Sequence, residues 1–290
     1  MTNNAASGAA SVAGARSDYP WIRSYSENID WHTEFRPAPL SDLLDKAAES
    51  YGRRPCTTFL GKTLTYRDIA AMVDRTAAGL QRVGVAKGTK VGLFLPNSPT
   101  FIVYYFAVLK CGATVVNFNP LYTIEELSYQ IKDSDTELMV TLDLKLLFDK
   151  VAALLQSGVL ARAVVASFTS LLPATKSALF KLFKGRDLAR PLASPATKQI
   201  LLEADLIAAG GKPTPVSINP LHDIAVLQYT GGTTGTPKGA MLTHANVYIN
   251  VKQVISWAPS LHDGSEKVLG VMPFFHVFAM TVVMNFGIAK

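Results

Sequence analysis

Apolar and polar positions along this chain repeat with periods that switch between those of helices and strands. Helical spacing begins at Leu40 and continues through Leu43, Leu44, Ala47 and Ala48, with Ser41 or Asp42 placed to cap it. Residues 63–66 form a short β-like piece, and residues 67–83 predict a helix with Ile69, Met72, Val73, Ala77 and Leu80 on one face. The run 90–95 predicts a buried strand. Asn97, Ser98 and Pro99 then open a helix that runs to Lys110 and stops at Gly112. Residues 113–119 predict a second buried strand. Thr123-Ile124-Glu125-Glu126 is a capping box that opens another helix. Strands at 137–142 and 161–167 flank a helix at 143–156. Strands alternate with helices and several are apolar on both faces. That pattern predicts an α/β fold with a mostly parallel sheet flanked by helices.

Residues 168–198 break the alternation. Within them, residues 178–183 predict a helix with Leu179, Phe180, Leu182 and Phe183 on one side and Lys181 and Lys184 on the other. Between positions 162 and 198 stand seven cations (Arg162, Lys176, Lys181, Lys184, Arg186, Arg190, Lys198) and one acid, Asp187. This excess of six equals the net charge of the whole 290-residue chain, +6. A general nucleic-acid surface is therefore not implied. The segment reads either as a patch for peripheral membrane contact or as an excursion folded against the domain with its lysines in water.

Two cysteines, Cys56 and Cys111, suit a reducing compartment, most simply the cytoplasm. The five histidines are scattered and make no zinc-type pairing with them. Residues 1–35 read as a flexible N-terminal extension, because the Ala/Ser/Gly-rich opening lacks the apolar core of a signal peptide. Residues 268–289 carry no formal charge and are long enough to span a membrane. Gly270, Pro273, His276, Asn285 and Gly287 within them point instead to a buried strand, a turn and a helix.

The candidate chemistry lies between two apolar runs. Residues 223–229 predict a strand, and residues 240–242 a short one. Thr243 then caps a helix with Val247, Val251, Val254 and Ala258 in its apolar stripe. Between the two strands stands Thr230-Gly231-Gly232-Thr233-Thr234-Gly235-Thr236-Pro237-Lys238-Gly239. Glycines let backbone N–H groups turn inward and approach a ligand, threonines add hydroxyl donors, and lysine adds a point charge matched to phosphate. Together they suit a polyphosphate; a flexible Gly/Thr hairpin loop is the plain alternative. The Walker pattern is absent, since Lys238 follows Pro237 and precedes Gly239. No Gly-x-Gly-x-x-Gly fits between a strand and a helix.

The run from Tyr229 to His244 resembles the phosphate-binding signature of the adenylate-forming enzymes, which include acyl-CoA synthetases, luciferases and peptide-synthetase adenylation domains. Other segments resemble that family in the right order: Leu64-Thr65-Tyr66-Arg67-Asp68-Ile69, Leu109-Lys110-Cys111-Gly112-Ala113 with Asn119-Pro120, and Pro273-Phe274-Phe275-His276. Asn119-Pro120-Leu121-Tyr122-Thr123, Gly231, and the run from Phe275 to Thr281 are most similar to bacterial long-chain fatty acid–CoA ligases.

The resemblance implies an incomplete large N-terminal AMP-binding (adenylation) domain over residues 36–290, with the basic excursion at 168–198 and the C-terminal lid domain absent. It also implies ATP, Mg²⁺ and coenzyme A, with a fatty acid as substrate. The acid would first be joined to AMP, and coenzyme A would then displace AMP. Tyr229, Thr230, Gly231, Gly232, Thr233, Thr234, Gly235, Thr236, Lys238 and Gly239 would bind the nucleotide. Lys238 would be the catalytic cation, and Thr233 or Thr234 would meet Mg²⁺. Phe275 and His276 would line the acyl pocket; a lone His276 in an aromatic run also reads as a hydrogen-bonded core residue. The family's later Tyr-Gly-x-Thr-Glu and Thr-Gly-Asp motifs are missing, and the sequence ends in an apolar run that expects a partner. The expectation is an N-terminal fragment with little activity alone and a tendency to aggregate. Two alternatives remain: an aryl-CoA or acyl-AMP ligase of the same superfamily, and a non-catalytic truncated binding protein.

Overall fold

The computed structural model describes residues 19–230, 235 and 237–290. The chain divides into two compact units between Phe35 and Arg36. In the first, a 3₁₀ turn at Pro20–Ser24 carries an aromatic cluster. Tyr19 stacks on Trp21 at 4.9 Å, and Trp31 meets Trp21 and Tyr25 at 6.0 and 5.5 Å.

The second unit begins with α1 (Asp42–Tyr51), which buries Leu43, Leu44 and Ala47; Ser41 stands at its N-cap without a side-chain bond. An antiparallel hairpin follows, made of β1 (Pro55–Phe59) and β2 (Lys62–Thr65). Thr65 and Asp68 form a capping box that opens α2 (Tyr66–Arg82). Next come β3 (Lys90–Leu93), α3 (Pro99–Lys110), β4 (Thr114–Asn117), α4 (Ile124–Ser134), β5 (Leu138–Leu142), α5 (Lys145–Gln156) and β6 (Arg162–Ala166). Ser98 caps α3 by accepting from the Phe101 N–H, and Thr123 with Glu126 caps α4. Every residue from Pro99 to Leu109 is buried, so α3 is enclosed on all sides, against α2 and the sheet. The remaining elements are α6 (Ala174–Lys184), β7 (Ile200–Leu202), α7 (Glu203–Ala208), β8 (Ile224–Thr230), β9 (Lys238–Thr243), α8 (His244–Ser256), a π-helical turn at Ala279–Asn285, and α9 (Phe286–Ala289).

Seven strands form one sheet in the order β7-β6-β5-β3-β4-β8-β9. All neighbours are parallel except β9, which runs antiparallel beside β8 at the edge. After β3 the chain crosses to β4 on one side; after β4 it crosses back to β5 on the other. Right-handed crossovers then put α3 and α4 on opposite faces. The connections leave in opposite directions above the carboxyl ends of the neighbouring strands β3 and β5, a crevice of the kind in which open parallel sheets hold ligands.

Three expectations are corrected. Residues 268–272 do not form a buried strand: Val268, Leu269, Val271 and Met272 are all exposed. The carbonyls of Gly270 and Met272 accept from the Asn97 side chain, at 3.0 and 2.8 Å, instead of entering a ladder. The helix of the basic excursion spans Ala174–Lys184, longer than 178–183, and buries none of its residues. Its apolar face is therefore not folded away against the domain. The short strands β1 and β7, unexpected from periodicity, belong to partly exposed runs. Among the described residues no helix is long and apolar enough to cross a membrane.

Candidate functional site

The Gly/Thr loop joins two adjacent antiparallel strands, so its ends are paired to each other. Thr230, last in β8, lies opposite Lys238, first in β9; Tyr229 lies opposite Gly239. Because β9 is antiparallel, this base sits at the carboxyl edge of the parallel sheet. Thr230 and Lys238 are exposed, and Gly235 takes a φ of +90°. Gly231, Gly232, Thr233, Thr234 and Thr236 lie outside the described residues.

Helix α4 fastens both strands at the base. The Tyr229 hydroxyl donates to the Asp133 carboxylate, and the Tyr129 hydroxyl donates to the Pro237 carbonyl at 3.1 Å. Burial, and then the neighbouring Asp133 carboxylate, hold the Tyr229 phenol above its ordinary range, so it stays protonated. Its ring covers Gly239, where an added Cβ would come within 3.0 Å of the ring carbons. Tyr229 thus closes the floor of the loop, with its hydroxyl committed to Asp133.

A buried amide pair links this base to the aromatic segment. Asn117, at the end of β4, donates to the Gln228 Oε1 at 3.1 Å, and the Gln228 Nε2 donates to the Phe275 carbonyl at 2.9 Å. Asn97, just beyond β3, accepts from the Phe274 N–H at 2.8 Å through Oδ1. Phe274 packs edge-on against Phe101 at 5.7 Å. The side chains Asn97, Asn117 and Gln228, each near the carboxyl end of a different strand, therefore hold residues 270–275 beside the loop.

His276 follows directly, exposed, with its ring 4.4 Å from that of Phe275. In this structure the His276 ring is therefore not part of the core. Sequence reasoning missed Gln228 and Asn117. The available signal was an amide side chain towards the end of each of two largely apolar strands, which calls for a buried partner.

Beyond the loop, Thr243 and Asn246 form the capping box of α8. His244 is buried there, and its Nδ1 accepts from the Leu40 N–H at 3.0 Å. Burial pushes its pKa down to about 4, so the imidazole is neutral. Among the described residues no group of three His, Cys, Asp or Glu side chains could hold a metal ion.

A mostly parallel sheet that carries a Gly/Thr-rich loop, closed by an exposed lysine, at its carboxyl edge defines an α/β protein of the open-sheet type. The sequence profile of the family described as AMP-binding enzyme matches residues 44–290, and the chain belongs to that family. It is 37 % identical over 273 residues to a long-chain-fatty-acid–CoA ligase of Bacillus subtilis (strain 168), covering 94 % of this chain and 48 % of that one. It is 32 % identical over 254 residues to 4-coumarate–CoA ligase 5 of Oryza sativa subsp. japonica, covering 86 % and 41 %. The crystal structure of a long-chain-fatty-acid-CoA ligase from Archaeoglobus fulgidus superposes with a TM-score of 0.67 at 25 % identity, over 88 % of this chain and 46 % of that one. The chain spans about half the length of the curated relatives it matches.

Proposed function

We propose that this chain supplies the nucleotide-binding part of an ATP-dependent long-chain fatty acid–CoA ligase. The observation that carries the reading is the loop base at the carboxyl edge, with Lys238 exposed beside Thr230 and Phe275-His276 fastened next to it through Gln228. A carboxylate resists attack by a thiol because its carbon is flanked by negative charge. Its oxygen first attacks the α-phosphorus of ATP, the bond to the β-phosphate breaks, and pyrophosphate leaves. The coenzyme A sulfur then attacks the acyl carbon, loses its proton and expels AMP. The protein positions the reactants and offsets charge.

Lys238 and the loop from Thr230 to Gly239 hold the β- and γ-phosphates. The described loop base fits that task, because Lys238 and Thr230 are both exposed where the two strands open into the loop. Mg²⁺, held by the phosphates together with Thr233 or Thr234, would neutralise phosphate charge. Phe275 and His276 lie where the carboxylate end of the acyl chain would enter. The setting is cytoplasmic, with the segment 168–198 as a peripheral contact to the inner membrane face.

The test is Lys238→Ala. ATP binding should weaken about tenfold to a hundredfold, the range expected for one lost charge-assisted contact, with the melting temperature unchanged. Unaltered ATP affinity would reject the phosphate role. A relative of the aryl-CoA class also matches this chain. A chain-length series of carboxylic acids, with coumarate as comparison, separates the two substrates in the ligase assay.

A further inference from the structure

We propose that helix α6 and the cleft beside it dock on a membrane surface rich in anionic phospholipid. This deepens the peripheral-contact reading and is independent of the ligase reading. Helix α6 is fastened on only two sides. Phe180 packs on Phe168 at 5.1 Å, and Lys176 donates to the Leu60 carbonyl at 2.7 Å. After the helix, the strap at Leu188 and Ala189 is pinned to the end of β5, where the Ala189 N–H donates to the Asp143 carbonyl at 2.7 Å. Among the described residues nothing covers the rest. Leu179 is 54 % exposed, Leu182 75 % and Phe183 74 %.

The same helix borders a cleft of about 910 Å³ lined by Lys145, Lys181, Arg186 and Arg190 together with Leu182 and Phe183, and no acid lines it. None of these four cations makes an ion pair among the described residues, whereas Lys184 faces Asp187 at 3.9 Å outside the cleft. An apolar face meant for another folded surface would be poor in lysine, since interface cores are depleted of charge. Apolar side chains rimmed by unpaired cations instead match the boundary between headgroups and acyl chains. Leu182 and Phe183 would enter the apolar layer, and the cations would meet headgroup phosphates. The lipid phosphate, not a free one, is the occupant, because only a surface also takes up the two apolar side chains beside it.

The test is cosedimentation of the chain with vesicles of phosphatidylcholine alone or with 30 % (about one lipid in three) phosphatidylglycerol. Binding should be at least about tenfold tighter to the anionic vesicles and should fall with added salt. Leu182→Asp with Phe183→Asp should abolish it. Lys181→Glu with Arg186→Glu should weaken it about twentyfold or more, since each cation near a charged surface contributes about fivefold. Circular dichroism and melting should be unchanged, because all four side chains are exposed. Equal binding to both vesicles, no binding to either, or binding that survives both double variants would overturn the proposal. So would retention of the chain by immobilised inorganic phosphate with no affinity for vesicles. Lys238→Ala should leave vesicle binding intact, which separates this result from the fate of the ligase reading.

Discussion

The loop between β8 and β9 and the segment between β6 and β7 both interrupt the alternation of strand and helix at the carboxyl edge of one sheet. Their attachments differ. Around the loop, Asn97, Asn117, Gln228, Tyr129 and Asp133 each spend a side chain on holding backbone or one another. The segment between β6 and β7 is anchored before its helix, where the Phe168 N–H donates to Asp143 and Lys62 donates to the Ser170 carbonyl, and again after it at Ala189, but the helix itself buries nothing and is held through Phe180 and Lys176. Reacting groups must be held within fractions of an ångström, and buried amide networks do that. A surface that meets a fluid partner needs only charge and exposed apolar area. The amides of Asn117 and Gln228 in the first region are therefore buried, whereas the lysines and arginines of the second are exposed.

That contrast can be broken from its anchored side first. Acid should act through His244, whose neutral imidazole accepts from Leu40 at the start of α8. Its pKa falls from 6.5 to about 4 in the folded chain. The unfolded chain therefore takes up the proton first as pH drops. The stability contributed is complete above about pH 6.5 and is lost progressively towards pH 4, about 3 kcal/mol in all. Urea melts between pH 7.5 and 4.5 measure it, and His244→Gln should flatten the profile.

Gln228→Leu comes next. It leaves the Phe275 carbonyl and the Asn117 amide without their partner, and should cost about 2 kcal/mol of stability. Loosening of residues 270–275 should appear as faster amide exchange at Phe274. A cost within experimental error would mean that the amide pair does not anchor the aromatic segment. The smallest effect belongs to the other region. Leu182→Asp should shift stability by less than about 0.5 kcal/mol, as for an exposed site. A loss of 2 kcal/mol would show that α6 is packed against something in solution.

Much of the frame was legible because its signals are local. The capping boxes at Thr123 and Glu126 and at Thr243, and the cap at Ser98, lie within three or four residues of what they cap. The run around β3, apolar on both faces, announced a central parallel strand. The Gly/Thr loop announced itself by composition and by a long family signature. What failed depended on distant partners. Asn97 reads as part of a helix start, yet its amide serves residues 173 and 175 positions away. Residues 268–272 look like a buried strand because apolar content alone does not say whether a ladder stands nearby. Here Asn97 takes two of their carbonyls. The exposure of α6 was undecidable from an amphipathic pattern, which reads the same whether the apolar face meets protein or lipid.

The position of β8 also sets an order of assembly. Strands β3 to β7 follow one another closely in the chain and pair with near neighbours, whereas β8 pairs with β4 through Val226 and Val115, 111 positions apart. Closing so long a loop comes late, after contacts of shorter span have formed. A nascent chain can thus complete five strands, and the platform for α6, before the strand that leads into the Gly/Thr loop has been synthesised. The proposed nucleotide site forms last. Pulse-labelled amide exchange during refolding should protect Val140 and Val164 before Val226, and ATP should leave the early phase unchanged while stabilising only its product.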